Sequence, residues 1–361
     1  MRVERGRRRV LAGTPAEHGY TFPPEWAPHE GTWFSWPRPE GISFPDKYHT
    51  VPPVLARIFR EIAARERVHV NVPNGNYERL VREQLSSFGC PLRNVVFHRI
   101  PTNECWCRDH GPAFVVRRNR RGRAEAAIVD WGFNAWGGKY PPWDADDAVP
   151  TRVAEQLGLP VFLPGIVMEG GAVDFNGRGT VLTTTSCLLN RNRNPGLKRA
   201  ELERFLMAYY GQRHVIWLGE GIAGDDTDGH VDDLARFIDD RTIVTAVEDD
   251  SRDANHAVLK ENRRRLAKAR DQDGRAFTIV ELPMPAPVCH RGERLPATYV
   301  NFYFVNGALI VPTFRDRSRD RQALAILRRA LPDREVIGID CTDIVWGLGA
   351  IHCLSQQQPK V

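Results

Sequence analysis

Short runs alternating polar and apolar residues recur along this 361-residue chain, and the segments between them are of two kinds, tight turns and stretches with helical spacing. That mixture predicts a mixed α/β fold with many strands, joined sometimes directly and sometimes through a helix. Val54, Leu55, Ile58, Phe59 and Ile62 trace one helical face, and Arg67–Val72 then alternates like a strand. Tyr77–Phe88 reads as a second helix stopped by Gly89, followed by a strand over Arg93–His98. Further strands are expected over Ala126–Trp131, Thr180–Thr184, Val215–Leu218, Thr242–Val247, Phe277–Leu282 and Glu335–Ile339. Helices are expected over Leu197–Tyr210, Arg252–Ala269 and Arg319–Ala330. Tyr299–Val305 and Ala308–Phe314 flank Asn306 and Gly307, the pair favoured in two-residue hairpins because both central residues then take positive φ.

No low-complexity linker divides the chain, and no literal internal repeat is visible. With 42% hydrophobic residues it is a globular protein. No apolar run approaches the roughly 20 residues needed to span a bilayer, and the basic start MRVERGRRRV lacks the apolar stretch of a secretory signal. A cytoplasmic location is expected, with no membrane partner. The net charge is +5, but five arginines against Glu4 in the first ten residues account for +4 of it, leaving the rest near neutral. Residues 1–20 read as an unstructured basic extension before a single domain over 21–361, and no nucleic-acid partner is expected. Seven cysteines without a signal peptide argue for reduced thiols rather than a disulfide framework.

Chemically capable groups gather in four segments. NECWCRDHGP (Asn103–Pro112) holds two thiols, an indole, a guanidinium, two carboxylates and an imidazole. MEGG (Met168–Gly171), GDDTDGHVDDLARF (Gly224–Phe237) and GLGAIHC (Gly347–Cys353) add acids, a histidine and a cysteine. A thiol attacks only as thiolate, so Cys353 needs a partner or environment that removes its proton. His352 is its neighbour, and on an extended strand the two side chains would face opposite ways. His230 and Asp232 would share one face of an extended segment, as acid–base group and companion charge. Glu169 is expected where a strand ends, and Arg108 beside Asp109 reads most plainly as a structural ion pair. Taken singly, each carboxylate is more often structural than catalytic; their company with one histidine and one cysteine is what stands out. Two metal readings compete. Asp225, Asp226 and Asp228 lack the ligand spacing of a calcium loop, and Cys105, Cys107 and His110 with Cys289 and His290 lack the paired spacing of structural zinc.

These motifs resemble those of the agmatine deiminase family, relatives of bacterial peptidylarginine deiminase. The resemblance runs from PPEWAPHEGTWFSWP (Pro23–Pro37) through WCRDHGP, NAWGGK, MEGGAVDFNGRGT, CLLNRNRNP (Cys187–Pro195), GDDTDGHVDDLARF and LPATYVNFYFVNG to IHCLSQQQP (Ile351–Pro359). It implies an α/β-propeller of about five ββαβ units around a central site. It further implies that Cys353 attacks the guanidinium carbon of agmatine while His230 protonates the departing ammonia. Asp109 and Asp232 would grip the guanidinium nitrogens, each contact being worth on the order of 4 kcal/mol before desolvation. A water deprotonated by His230 would then release N-carbamoylputrescine. Glu169 matches a further active-site carboxylate, Trp106 would wall the pocket, and Asp226 matches a position that helps bind agmatine. No metal or organic cofactor is implied, the partner is the small guanidino substrate, and a homo-oligomer is expected.

The chain departs from the family pattern at Leu348 and Ala350, where a glycine and an asparagine are usual, and at Asp226 and Glu104, where glutamate and aspartate are common. Three other functions remain open at this point. A deiminase of free or peptidyl arginine would need a group for the α-carboxylate or an open peptide cleft. An amidinotransferase would pass the amidino group to an amine, and a binding protein would have no need for the nucleophile.

Overall fold

The computed structural model describes residues 9–361, arranged as five sheets that repeat one topology and a short two-stranded hairpin, Cys289–His290 with Glu293–Arg294. In each of the five, a first strand pairs antiparallel with a second, and a helical crossover leads to a third strand parallel to the second. Ala113–Arg118, Ala124–Val129 and Val161–Phe162 form one such sheet, crossed by helix Val149–Leu157. Val173–Phe175, Thr180–Thr184 and His214–Leu218 follow, with helix Arg199–Tyr210. Ala235–Phe237, Thr242–Val247 and Thr278–Pro283 use helix His256–Lys268. Tyr303–Val305, Ala308–Thr313 and Glu335–Asp340 use helix Arg317–Ala330.

The remaining sheet closes the chain on itself. The C-terminal strand Ser355–Pro359 pairs antiparallel with His29–Ser35, which crosses through helix Val51–Ala63 to the parallel strand Arg67–Asn71. An extra helix, Gly75–Ser87, adds the fourth strand, Val95–His98. Helix Val51–Ala63 forms because its apolar residues recur at helical spacing and Pro52 and Pro53 sit in its first turn, where their missing N–H groups are not needed. It buries Val54, Leu55, Ile58, Phe59 and Ile62, the expected face. Helix Gly75–Ser87 starts where the Asn74 side chain accepts from the Asn76 and Tyr77 N–H groups.

Three expectations are corrected. Of the extension expected over residues 1–20, residues 1–8 lie outside the described residues, while 9–20, though largely exposed, are tied down by backbone hydrogen bonds and by buried Pro15 and Tyr20. Val161 N–H donates to Arg9 O and Leu11 N–H to Val161 O, because the exposed edge of a two-residue strand needs partners. Tyr20 is buried beneath the Arg117 guanidinium. The hairpin turns at Asn306 and Gly307, but its first strand begins only at Tyr303, and of the two central residues Gly307 alone has positive φ. Asn306 instead docks the turn on the first sheet: its Oδ1 accepts from His29 N–H, its Nδ2 donates to His29 O, and its own N–H donates to Glu66. Finally, Cys353 and His352 lie on a helical turn, Ile351–Leu354, not on a strand.

Candidate active site

Each of the five sheets delivers its chemistry from the segment that enters its first strand. Asp109 precedes Ala113–Arg118, Glu169 precedes Val173–Phe175, His230 and Asp232 precede Ala235–Phe237, Asn301 precedes Tyr303–Val305, and Cys353 precedes Ser355–Pro359. Four of these entrances contain a single helical turn: Cys107–His110, Gly170–Ala172, Val231–Asp233 and Ile351–Leu354. A short turn before a strand re-aims the side chains it carries, so residues far apart in sequence converge. His230 caps the Val231–Asp233 turn and is not on the extended segment expected for it, yet its Nδ1 lies 4.0 Å from Asp232 Oδ1.

His230 is surrounded by acids. Its Nε2 faces Glu169 Oε2 at 3.4 Å, and its Nδ1 lies 3.7 Å from Asp109 Oδ1. His230 Nδ1 and Asp232 Oδ1 are both buried without a hydrogen-bond partner, so the site presents a donor–acceptor pair that a polar ligand can satisfy. Asp109 accepts from Gly171 N–H at 3.0 Å and from Trp136 Nε1 at 2.9 Å. It does not pair with Arg108, as expected of adjacent opposite charges. Arg108 turns the other way, donating to Glu25, Gln357 and the His352 carbonyl. Cys353 Sγ lies 3.6 Å from Asp232 Oδ2 and accepts from Asn301 Nδ2 at 3.0 Å.

The charges follow from these contacts. Burial works against ionising Glu169, but the Arg193 guanidinium and His230 outweigh it and hold its carboxyl below the usual range. Burial also opposes a proton on His230, yet Asp109 and the contacts with Cys187 and Glu169 hold the imidazole well above its ordinary value. Asp232 is lowered against burial chiefly by its bond to His352. Burial pushes Asp109 up to about 6, reinforced by Asp232 and Glu169 and opposed by His230. Burial and the neighbouring Asp232, Asp233 and Asp109 push the Cys353 thiol well above its ordinary value. These contacts favour an imidazolium at His230, ionised Glu169 and Asp232, and a protonated Cys353 thiol.

Cys353 and Asp109 open into a cleft of about 370 Å³ whose walls include Trp106, Trp136, Leu348 and Asp226. Trp106 donates from Nε1 to Ser43 and backs the glycines that flank Leu348. Glu104 accepts from Ile42 N–H and Ser43 Oγ, fixing the cleft's outer edge. Asp226 accepts from Tyr140 OH at 2.5 Å. Its neighbours on that loop are dispersed: Asp225 accepts from Thr227, and Asp228 pairs with Lys139 and Arg193. This division of partners argues against a common calcium site.

The structure brings together Cys353, His230, Asp109, Asp232 and Glu169 and lines one cleft with Cys353, Asp109, Trp106 and Asp226. Among the described residues, the trios of metal-capable side chains are Glu169, Cys187 and His230, and Asp232, Asp233 and Cys353; the thiols of Cys105, Cys107 and Cys289 join neither. Four residues with evident contacts in the site were not singled out from sequence, and a fifth, His352, was noted only as the neighbour of Cys353. Arg193, fully buried, donates to Glu169 from Nε at 2.7 Å and to Thr227 O from Nη2 at 2.7 Å, and it pairs with Asp228. Glu25 accepts from Arg108, contacts His352 Nε2 and forms an ion pair with Arg236 beneath the site. Asn301, Trp136 and His352 complete the set. Asn301 was expected inside the hairpin strand Tyr299–Val305 and lay within the motif LPATYVNFYFVNG, neither of which set it apart from its neighbours.

The architecture and site define a mixed α/β protein in which the segments entering the first strands of five sheets bring together a cysteine, a histidine and several carboxylates. A family model for Porphyromonas-type peptidyl-arginine deiminase matches residues 21–359. The agmatine deiminase of Ectopseudomonas mendocina is 37% identical, covering 97% of this chain and 98% of its own. That of Medicago truncatula is 36% identical, covering 97% and 99%. The solved agmatine deiminase of Enterococcus faecalis superposes with a TM-score of 0.90 at 31% identity, covering 98% of this chain and 100% of that one. The chain belongs to the family of agmatine deiminases and Porphyromonas-type peptidyl-arginine deiminases.

Proposed function

We propose that this chain is an agmatine deiminase, a hydrolase that converts agmatine to N-carbamoylputrescine and ammonia through a covalent amidino-cysteine. The observation that carries the reading is the buried pairing of Cys353 with Asp232, beside unpartnered His230 Nδ1 and Asp232 Oδ1, at a cleft shared with Asp109 and Asp226. A delocalised guanidinium is a poor electrophile, and carboxylates fixed around it stabilise the charge as it localises in the tetrahedral state. Asp109 and Asp232 take the guanidinium nitrogens. The same acids that keep the Cys353 thiol protonated are neutralised by the entering cation, so substrate binding itself displaces the thiol proton to solvent.

Sγ then attacks the central carbon. His230, held as imidazolium by Asp109 and Glu169, gives its proton to the departing nitrogen, and ammonia leaves. The neutral imidazole next takes a proton from water as its oxygen attacks the amidino carbon. As the C–S bond breaks, the hydroxyl of the tetrahedral adduct gives up its remaining proton to solvent, the carbonyl forms, the thiolate returns and the ureido product departs. Asp226, held by Tyr140, receives the amine at the substrate's other end, where arginine would bring a carboxylate beside an acid. Side chains and water suffice for every step. The reading also takes residues 21–361 as a single domain in which the five units ring the site, and the protein as a cytoplasmic homo-oligomer.

The test is incubation of the purified protein with agmatine, arginine and a short arginine peptide, following ammonia and ureido product with a metal chelator present. Turnover of agmatine, lost in Cys353→Ser with binding retained, supports the reading. Turnover that survives Cys353→Ser removes the nucleophile from the mechanism, and preference for arginine or the peptide replaces the substrate.

A further inference from the structure

Leu348 has φ 71° and ψ 25°, the left-handed region that a leucine rarely adopts and a glycine enters freely. Its neighbours show why the backbone takes this path. A Cβ on Gly347 would meet Trp106 Cζ2 at 2.7 Å, and one on Gly349 would meet Trp106 Cζ3 at 2.6 Å. The segment therefore lies flat on the Trp106 indole before the turn that carries Cys353. A glycine at position 348 would follow the same path without the steric cost. The leucine side chain is half-buried, packs against the apolar core and lines the cleft that contains Cys353 and Asp226. Strain retained in the wall of a site, at a position where backbone geometry favours glycine, indicates that the side chain serves the ligand.

We infer that Leu348 is a specificity-determining residue: it packs against the methylene spacer of the substrate and excludes branches from it, the α-carboxylate of arginine included. The inference rests on the guanidinoalkylamine reading of the site. The cleft supplies carboxylates for the two charged ends, Asp109 beside Cys353 and Asp226 with Tyr140. The uncharged middle of such a substrate gains only from apolar surface, and Leu348 is the aliphatic surface on the loop that delivers the nucleophile. One methylene in an apolar pocket separates substrates by about 10–200-fold, so one leucine is enough to set chain length.

The experiment compares kcat/KM for guanidinoalkylamines with three, four and five methylenes and for arginine in the wild type, Leu348→Ala and Leu348→Gly. The wild type is expected to prefer the four-methylene compound, and both variants to lose about tenfold of that preference. Leu348→Gly is expected to melt above Leu348→Ala, since both lack the side chain and only glycine is free of the left-handed cost. Preference ratios that stay unchanged in both variants, even with lower rates throughout, overturn the inference. So does Leu348→Ala melting at or above Leu348→Gly, which removes the strain on which it stands. Failure of the deiminase reading is seen separately, as absence of wild-type turnover. In that case the same ratios, measured as binding affinities in Cys353→Ser with and without each Leu348 substitution, decide the question.

Discussion

His352 Nδ1 lies 2.6 Å from Asp232 Oδ2, and Cys353 Sγ lies 3.6 Å from the same oxygen. Two residues adjacent in sequence thus meet one carboxylate, an arrangement that an extended strand forbids and the helical turn Ile351–Leu354 permits. The opposite face of the imidazole is also engaged, with Nε2 2.8 Å from Glu25 Oε2. His352 is a clamp between Asp232 and Glu25 of the buried ionic hub below it, and the proposed mechanism assigns acid–base chemistry to His230.

Replacing His352 by alanine would leave Asp232 without its strongest partner in a fully buried setting. Leaving a buried carboxylate without its hydrogen-bond partner costs about 1–3 kcal/mol or more, and urea unfolding is expected to show a loss of at least that size. The folded fraction should also lose activity, because an Asp232 that takes a proton no longer holds a guanidinium. His352→Asn should recover part of the stability through its amide. Equal stability of Ala, Asn and wild type would show that the clamp is idle.

Asp109 predicts opposite pH trends for activity and stability. Its carboxyl is pushed up to about 6 by burial, reinforced by neighbouring acids, and it must be ionised to receive a cation. The kcat/KM profile, which reports the free enzyme, should therefore fall as pH drops through about 6, and Asp109→Asn should lack that limb. For stability the sign is reversed. A carboxyl raised above its unfolded value of about 3.9 favours the fold below that pH, and this contribution, at most about 3 kcal/mol, is lost as pH rises through the folded value. Chemical unfolding at stepped pH should show a decline across that window that Asp109→Asn reduces. Because His230, Glu169 and Asp232 titrate with it, the midpoint belongs to the cluster.

Arg193 keeps Glu169 ionised, and ionised Glu169 helps to hold the proton on His230. In Arg193→Met, burial without the guanidinium favours protonated Glu169, and His230 then loses the carboxylate nearest its Nε2. The alkaline limb of kcat, set by loss of the His230 proton, should move to lower pH, with the maximal rate down by at least about tenfold. Arg193→Lys keeps the cation but cannot reproduce the fork that spans Glu169, Asp228 and Thr227, and it should fall between the two. An unshifted limb with a uniformly lower rate would assign Arg193 to folding alone.

Much of this arrangement was legible in sequence, for reasons that also mark the limits. Strands Thr180–Thr184 and Thr242–Val247 occur over the expected residues, and helix Val51–Ala63 buries the expected face, because local period and burial coincide there. The segments holding Cys353, His230, Asp109, Asp232 and Glu169 drew notice because reactive side chains beside glycines are conspicuous among apolar strands, but the roles expected of them came from the family resemblance. The fivefold repeat of topology did not, since the entering strands Val173–Phe175, Ala235–Phe237 and Tyr303–Val305 are three residues long and show no usable period. Glu25 and Arg193 were silent because their roles lie in partners distant in sequence, such as His352 for Glu25. Asn306 had the right residue type for its turn but a different reason: its amide serves the neighbouring sheet, so the paired positive φ is not required.

Two adjacent glycines give the sharpest separation of chemistry from folding. A Cβ on Gly171 would stand 2.5 Å from His230 Nδ1, 2.9 Å from Asp109 Oδ1 and 3.1 Å from Asp232 Oδ2, in the space those three groups share. A Cβ on Gly170 would instead collide with the Arg108 carbonyl, which is backbone and has little room to yield. Gly171→Ala should therefore fold, since side-chain ends can shift, with a stability loss of about 1–3 kcal/mol. Its kcat/KM should drop by at least about 100-fold, because displacement of reacting groups by an ångström is costly. Gly170→Ala should lose stability first, seen as a lower melting temperature and reduced soluble yield. The two substitutions add the same methyl group to neighbouring residues, so their difference reports the space around His230. If Gly171→Ala retained full activity, that space would not be where the guanidinium reacts.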